Sequence, residues 1–352
     1  MLLKRVSVHG CKRFLDRCLL TLASILVVTG CDQKQPPPAA QPATPAISHA
    51  PSAAEAEWLT QAEAGDAEAQ YRLGLLYLNG ISSPTDPEAA TEKFREAADS
   101  FLNAKSRPAI TSVRAAPDAE KALKWLSLSA AQGNHWAQPL LAELYRYGKG
   151  TPTNITEAIK WYETSAKDGN QWSAYELALI NVRGEGGAPK DVEQAVKWYE
   201  QAAEAGIVWA QYELATLYDK SKEIPRDYAK AAHWYELAAE QGHDWSEYGM
   251  AELYYYGRGQ KKDYETAFKW YQRAAERGNA EAEYMLGFML NEGRGCERDH
   301  FQAGKWLYLA VETGKKPHYQ EAWLLVRSHL SEKEMAEIRL HAAQFKPKRK
   351  AQ

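Results

Sequence analysis

The chain has 352 residues, 45% of them hydrophobic and 25% charged, with 12 Trp and 20 Tyr. That length exceeds the usual single-core domain and calls either for two domains or for an elongated architecture that adds core unit by unit. The formal net charge is -3 and becomes -7 without the first 30 residues, with 38 Lys and Arg against 45 Asp and Glu, so an acidic, mixed surface argues against nucleic acid as a partner. Four cysteines, Cys11, Cys18, Cys31 and Cys296, are too few to staple a fold of this size, and stability must come from packing.

At the N-terminus, Lys4, Arg5, Lys12, Arg13 and Arg17 precede an apolar run from Cys18 to Val28 that is too short to span a bilayer comfortably. Residues 1–30 read as a signal peptide. Val28-Thr29-Gly30-Cys31 resembles the bacterial lipobox, which implies cleavage before Cys31 and acylation of its thiol, with palmitate among the chains. Two or three acyl chains anchor firmly where one alone is marginal. By the same resemblance Asp32 favours the inner over the outer membrane, with the protein facing the periplasm. Residues 31–56 are rich in Pro, Ala and Gln, with almost nothing to bury, and read as a disordered tether of roughly 75 Å at full extension.

From residue 57 to 314 the sequence repeats. Trp125, Trp161, Trp198, Trp234, Trp270 and Trp306 recur every 36 or 37 residues, and Gly133, Gly169, Gly206, Gly242, Gly278 and Gly314 follow each of them at +8. Asp118, Asn154, Asp191, Asp227, Asp263 and Asp299 stand seven before each Trp as helix N-caps. Between cap and glycine lies helix B, with Ala122, Ala158, Ala195, Ala231, Ala267 and Ala303 giving a small face for close approach, and its glycine is free to turn left-handed and stop the helix. Helix A follows, with Leu or Met eight after the glycine and Ala or Gly at nine, as at Leu214 and Ala215. Gly-x-Gly loops such as Gly148-Lys149-Gly150 lead back to helix B; they follow a helix and lack Gly-Lys-Ser/Thr, so they are turns rather than phosphate sites.

Ala210, Tyr212, Leu214, Ala215, Asp227, Ala231, Trp234, Tyr235, Ala238, Ala239 and Gly242 make the central unit similar to the Sel-one-like repeat, a relative of the tetratricopeptide repeat. The resemblance covers Trp58 to Gly314 in about six copies. It implies an all-α, right-handed superhelical solenoid of antiparallel helix pairs, acting as an adaptor or scaffold. The first unit departs from the pattern: Asp86 to Asp99 already looks like helix B, a second begins at Asp118, and an insertion at about 100–117 lies between. Residues 315–352 read as a capping helix, opened by Ser331 and Glu334 with Met335, Ile338 and Leu340 turned inward, and a basic tail.

The Trp of helix B read as core. A second set, Trp136, Trp172, Trp209 and Trp245, opens helix A three after the glycine, about 140° from the core Leu on a helical wheel. Glu176 and Glu213 at +7, Glu143 and Glu252 at +10, and Tyr147 and Tyr256 at +14 share that side. One reading is an aromatic, acid-lined groove for a basic, partly apolar protein segment; the other is that each Trp wedges between repeats. Both stay open on sequence alone. Cys296 lacks the His and Asn of a nucleophile, and the nine His show no metal-ligand spacing, so no cofactor or metal is expected.

The function these readings support is a membrane-anchored periplasmic scaffold that binds a protein partner through helix A. The family resemblance narrows this to an immunity protein against a secreted toxin or an envelope-complex assembly factor. The alternative is a glycan-binding protein or a cell-wall glycan-acting enzyme using two groove carboxylates. Solvated Glu on a repeat ladder offer no reason for the raised pKa such chemistry needs, so catalysis is not expected.

Overall fold

The computed structural model describes residues 53–79 and 118–348, all of it helix, turn and loop. The signal peptide, Cys31, nearly all of the tether, Asp86 to Asp99 and the insertion lie outside the described residues. Helices of the B type are α1 (Ala53–Glu63), α3 (Ala119–Ala131), α5 (Ile155–Lys167), α7 (Val192–Glu204), α9 (Tyr228–Glu240), α11 (Tyr264–Glu276) and α13 (His300–Gly314). Those of the A type are α2 (Ala67–Asn79), α4 (Ala137–Tyr147), α6 (Gln171–Arg183), α8 (Val208–Lys220), α10 (Asp244–Tyr256) and α12 (Ala280–Glu292). They form an all-α solenoid of paired antiparallel helices.

Local chemistry sets the unit. Asp118, Asn154, Asp191, Asp227, Asp263 and Asp299 each accept a hydrogen bond from the amide three residues on, opening their B helix. Five of the six expected glycines, and Gly65 before them, take a positive φ of 84–100° after helix B. Gly314 does not: α13 runs through it, and Lys315 takes the left-handed position instead, at φ 50°. A Cβ on Gly314 would collide with Tyr319, which stacks on Tyr284 at 5.2 Å, so this glycine serves close packing.

The core differs from expectation in one respect. The residue after each repeat Trp is the buried one: Leu126, Tyr162, Tyr199, Tyr235, Tyr271 and Leu307 are at most 1% exposed. Of the six Trp only Trp125 is buried, and the rest are half-buried flanks. The wheel explains it, since the fully buried Ala three before the Trp and the residue one after it lie 40° apart, leaving the Trp to one side. The neighbouring A helix presents Gly or Ala there. A Cβ on Gly287 would come within 2.6 Å of Leu307 Cγ.

The first hairpin skips sequence. Helix α2 packs against α3, with Ser129 donating to the Ala67 carbonyl at 2.6 Å and Gln132 to Gln70 at 2.8 Å, so α3 fills the B position although 86–99 comes first in the chain. Beyond α13, sequence reading missed a further helix, α14 (Pro317–Arg327), which buries Tyr319, Trp323 and Val326. Helix α15 (Glu332–Gln344) opens with the expected Ser331–Glu334 capping box and packs on α13 through Met335 and Ile338. Leu340, expected inside, is 58% exposed.

Candidate functional site

Two polar ladders tie successive repeats together. The first joins the residue five after one repeat glycine to the residue just before the next. Its rungs are Gln70–Gln132, Gln138–Asp168 at 3.0 Å, the small pair Ala174 and Ala205, Gln211–Gln241 at 2.9 Å, Glu247–Arg277 at 3.0 Å, and Glu283 with Thr313. Glu247 is fully buried and held by both Arg273 and Arg277; burial raises its pKa, and the two guanidiniums oppose that rise. Glu283 is equally buried, yet neither carboxylate oxygen has a hydrogen-bond partner. Burial pushes it up to about 7, with Thr313 close enough to oppose the shift slightly.

The second ladder joins the residue thirteen after one glycine to the middle of the next A-to-B loop. Arg146 donates to both oxygens of Glu185 at 2.9 Å, Arg258 to Asp219 at 3.0 Å, and Arg294 to Tyr255 Oη at 2.7 Å. The loop glycines make this approach possible. Gly150 and Gly295 lie so close to the first residue of the preceding B helix that a Cβ would overlap its backbone. Turn geometry and packing thus account for the Gly-x-Gly loops.

Two of the four carboxylates expected to line helix A are neutralised by cations that sequence reading overlooked. Glu176 is not solvated: at 2% exposure it is ion-paired with Arg146, which Glu185 also holds. Burial lowers the Arg146 pKa, but Glu185 and Glu176 together more than reverse that. Glu252 pairs with Lys220 at 2.8 Å. Glu143 is half-buried and Tyr147 is 44% exposed, with Arg146 and Lys149 over its ring. Tyr256 is half-buried beneath Arg258. Glu213 differs from its neighbours, since it is half-buried and forms no hydrogen bond or ion pair among the described residues. Burial raises its pKa, and Arg183 opposes the rise. The cations lie a little under one repeat before the carboxylates they pair, Arg146 30 residues before Glu176 and Lys220 32 before Glu252, a spacing that charge pattern alone offered as the signal.

The Trp ladder divides between the two sequence readings. Trp172 is 3% exposed and packs on Tyr175 at 4.9 Å, a wedge. Trp136 and Trp209 are half-buried; Trp209 meets His243 of the next turn edge-on at 4.9 Å. Trp245 is 42% exposed, touching Tyr248 at 5.9 Å. The residue after the next repeat glycine differs between the two extremes of the ladder. In the register of Trp209 and His243, Ile207 stands beside Trp172 and shares its buried cluster, whereas Asn279 opposes Trp245 and turns its side chain to Ala282 N and Asp244. His243 is a packing residue, neutral because burial lowers its pKa to about 4.

Cys296 is half-buried and donates to the Met289 carbonyl, with burial raising its pKa, which is the environment of an inert thiol. Among the described residues no cluster of three or more His, Cys, Asp or Glu could hold a metal ion, and no helix is long and apolar enough to cross a membrane.

Stacked hairpins held by inter-repeat rungs, with one face carrying aromatics and charge, define a helical repeat scaffold. The profile described as Sel1 repeat matches residues 67–100, 114–134, 137–170, 173–207, 210–243, 246–279 and 280–314, and the chain belongs to the Sel1 repeat family, a non-catalytic scaffold fold. A Sel1 repeat protein from Oxalobacter formigenes is 28% identical, with a TM-score of 0.50 over 77% of this chain and 78% of that one. A protective antigen of uropathogenic Escherichia coli with the same repeat fold is 24% identical, with a TM-score of 0.44 over 83% and 71%. An immunity protein from Pseudomonas aeruginosa is 19% identical, with a TM-score of 0.34 over 69% and 83%, too distant to carry a functional argument. No curated protein matches the chain.

Proposed function

We propose that this chain is a lipid-anchored scaffold of the bacterial cell envelope, tethered through Cys31 and facing the periplasm, that holds a protein partner on its helix-A face. The observation that carries the partner reading is Glu213. It is half-buried and forms no ion pair, with Arg183 acting on it only at longer range, while Glu176 and Glu252 are paired, and it lies on the helix that Trp209 opens. A basic side chain from the partner completes the rung, and the exposed Trp245 and Tyr147 supply apolar anchor area at either side. Burial of an aromatic beside a charge-assisted contact is the usual composition of a binding hot spot.

Within this class the two finer readings are an immunity protein that neutralises a toxin in the periplasm and an assembly factor for an envelope complex. A toxin gene beside this one favours the first, and an envelope polysaccharide operon favours the second. Capture from native membranes tests the shared claim: a protein is expected to co-purify with the wild-type chain and to be lost from Glu213→Lys and Trp245→Ala. Retention by both variants would sink the helix-A reading. Incorporation of labelled palmitate into the wild type but not into Cys31→Ser tests the anchor independently.

A further inference from the structure

In a stack of antiparallel hairpins every B helix runs the same way. All A-to-B loops therefore lie along one edge of the solenoid and all B-to-A turns along the other. Helix α1 is of the B type: Trp58 stands seven before Gly65, in the slot that Leu126 or Tyr162 fills elsewhere, and is 3% exposed, while Ala62 matches the buried Ala130 and Ala166. Its first residue, Ala53, consequently sits on the loop edge. The preceding chain joins the solenoid there.

Unpaired positive charge collects on that same edge. In the loops 221–226, 257–262 and 293–298, Lys222, Arg226, Lys261, Lys262 and Arg298 are exposed and, among the described residues, none has a carboxylate partner. Of the carboxylates in these loops, Glu223 is taken by Lys190 at 2.6 Å, which leaves Glu297. The N-cap carboxylates Asp227, Asp263 and Asp299 accept from the first turn of their B helices, whose partial positive ends offset them. On the opposite edge the last turns of the B helices carry Glu63, Glu204, Glu240, Glu276 and Glu312, and the tail residue Lys348 pairs with Glu276 at 2.8 Å. An acidic chain thus carries a cationic margin where its N-terminal segment enters.

We infer that the loop edge, through Lys222, Arg226, Lys261, Lys262 and Arg298, docks on anionic lipid headgroups of the membrane that holds the anchor. This rests on the proposed anchoring at Cys31. A tether makes the contact intramolecular, so headgroups are present at high effective concentration and a weak surface attraction suffices. Each Lys or Arg close to an anionic bilayer strengthens binding about five-fold, and the attraction fades within about 10 Å at moderate salt. With the loop edge on the bilayer the helix axes stand upright. The helix-A face then opens sideways to its partner.

The test is partitioning of the full chain onto vesicles of phosphatidylcholine alone and of phosphatidylcholine with phosphatidylglycerol in equal parts. Phosphatidylglycerol is expected to raise binding at about 50 mM salt and to lose that advantage at about 500 mM. Lys261→Gln with Lys262→Gln lowers the advantage on the order of 25-fold and leaves binding to phosphatidylcholine unchanged. Lys167→Gln with Lys315→Gln, on the opposite edge, leaves both unchanged. Equal binding to the two vesicles, or equal loss from the two variants, overturns the inference. A failure of anchoring shows separately, as no palmitate on Cys31 and no binding to phosphatidylcholine, while salt-sensitive binding to the phosphatidylglycerol vesicles and its loss in Lys261→Gln with Lys262→Gln are still read on the same samples.

Discussion

Helices α4 to α7 and helices α8 to α12 use the same repeat positions to different ends. In the first region the ladder Trp172 is buried and Glu176 is locked to Arg146; in the second, Trp245 is exposed, Glu213 is unpaired and Glu283 is buried without a partner. The backbone unit is the same in both. What differs is the neighbour supplied by the adjoining unit: Ile207 one repeat after Trp172 against Asn279 after Trp245, and Arg146 ion-paired with Glu176 against Arg183, which forms no ion pair with Glu213. A repeat position therefore has no fixed role, and its partner in the adjoining unit decides whether it packs, pairs or stays available.

The contrast is sharpest for stability. Trp172→Ala removes a buried indole and is expected to cost about 3–5 kcal/mol, read as a lower urea midpoint. Arg146→Ala follows at about 3 kcal/mol, because it leaves Glu176 buried beside no cation. The pair Arg146→Met with Glu176→Leu recovers most of that loss, since an apolar couple of similar volume needs no desolvation. A double variant as unstable as Arg146→Ala alone would show that Glu185 and the loop, rather than Glu176, carry the effect.

Glu283 makes a pH-dependent prediction of about 3 kcal/mol. The folded chain keeps its proton up to about pH 7, whereas the unfolded chain releases it near 4.5, so the stability it contributes is full in acid and declines as pH rises from about 4.5 through 7. Glu283→Gln should stabilise by less than about 1 kcal/mol at pH 5 and by about 3 kcal/mol at pH 8. His243 acts in the opposite sense. Its pKa falls from 6.5 unfolded to about 4 folded, so stability is lost as pH drops through that window. Denaturant melts of the wild type and Glu283→Gln at both pH values check the sign; a variant that gains equally at pH 5 would point to packing instead of ionisation.

The fold was largely legible because its determinants are local and repeated. Cap, small residue and glycine recur in register, and the structure places Asp118 to Asp299 and Gly133 to Gly278 accordingly. Three things were not legible, each for a physical reason. Trp and Tyr are adjacent in helix B, and composition does not say which of two aromatics 100° apart faces the core. The seating of α3 beside α2 rests on tertiary contacts such as Ser129 with Ala67, which join residues 62 apart in the chain. The pairing of Glu176 depends on Arg146, 30 residues away on another repeat, and a wheel drawn for one helix cannot show it.

The smallest expected change in stability belongs to Trp245, and it bears most directly on function. Trp245→Ala removes an indole that is already 42% exposed, with Asn279 opposite and a ring contact to Tyr248, so the cost should stay below about 1 kcal/mol. If Trp245 is an anchor for the partner, the same substitution weakens capture at least ten-fold, a loss of about 1.4 kcal/mol or more in binding. Stability kept with capture lost is the opposite of what Trp172→Ala should give. Ile207→Asn sharpens the contrast from the other side, since it puts at the first turn the residue found at the second and should uncover Trp172. Thermal melts and binding measured on the three variants together would show whether exposure at this repeat position, set by the next turn, is what makes it a contact; capture that survives Trp245→Ala would move the partner away from this end of helix A.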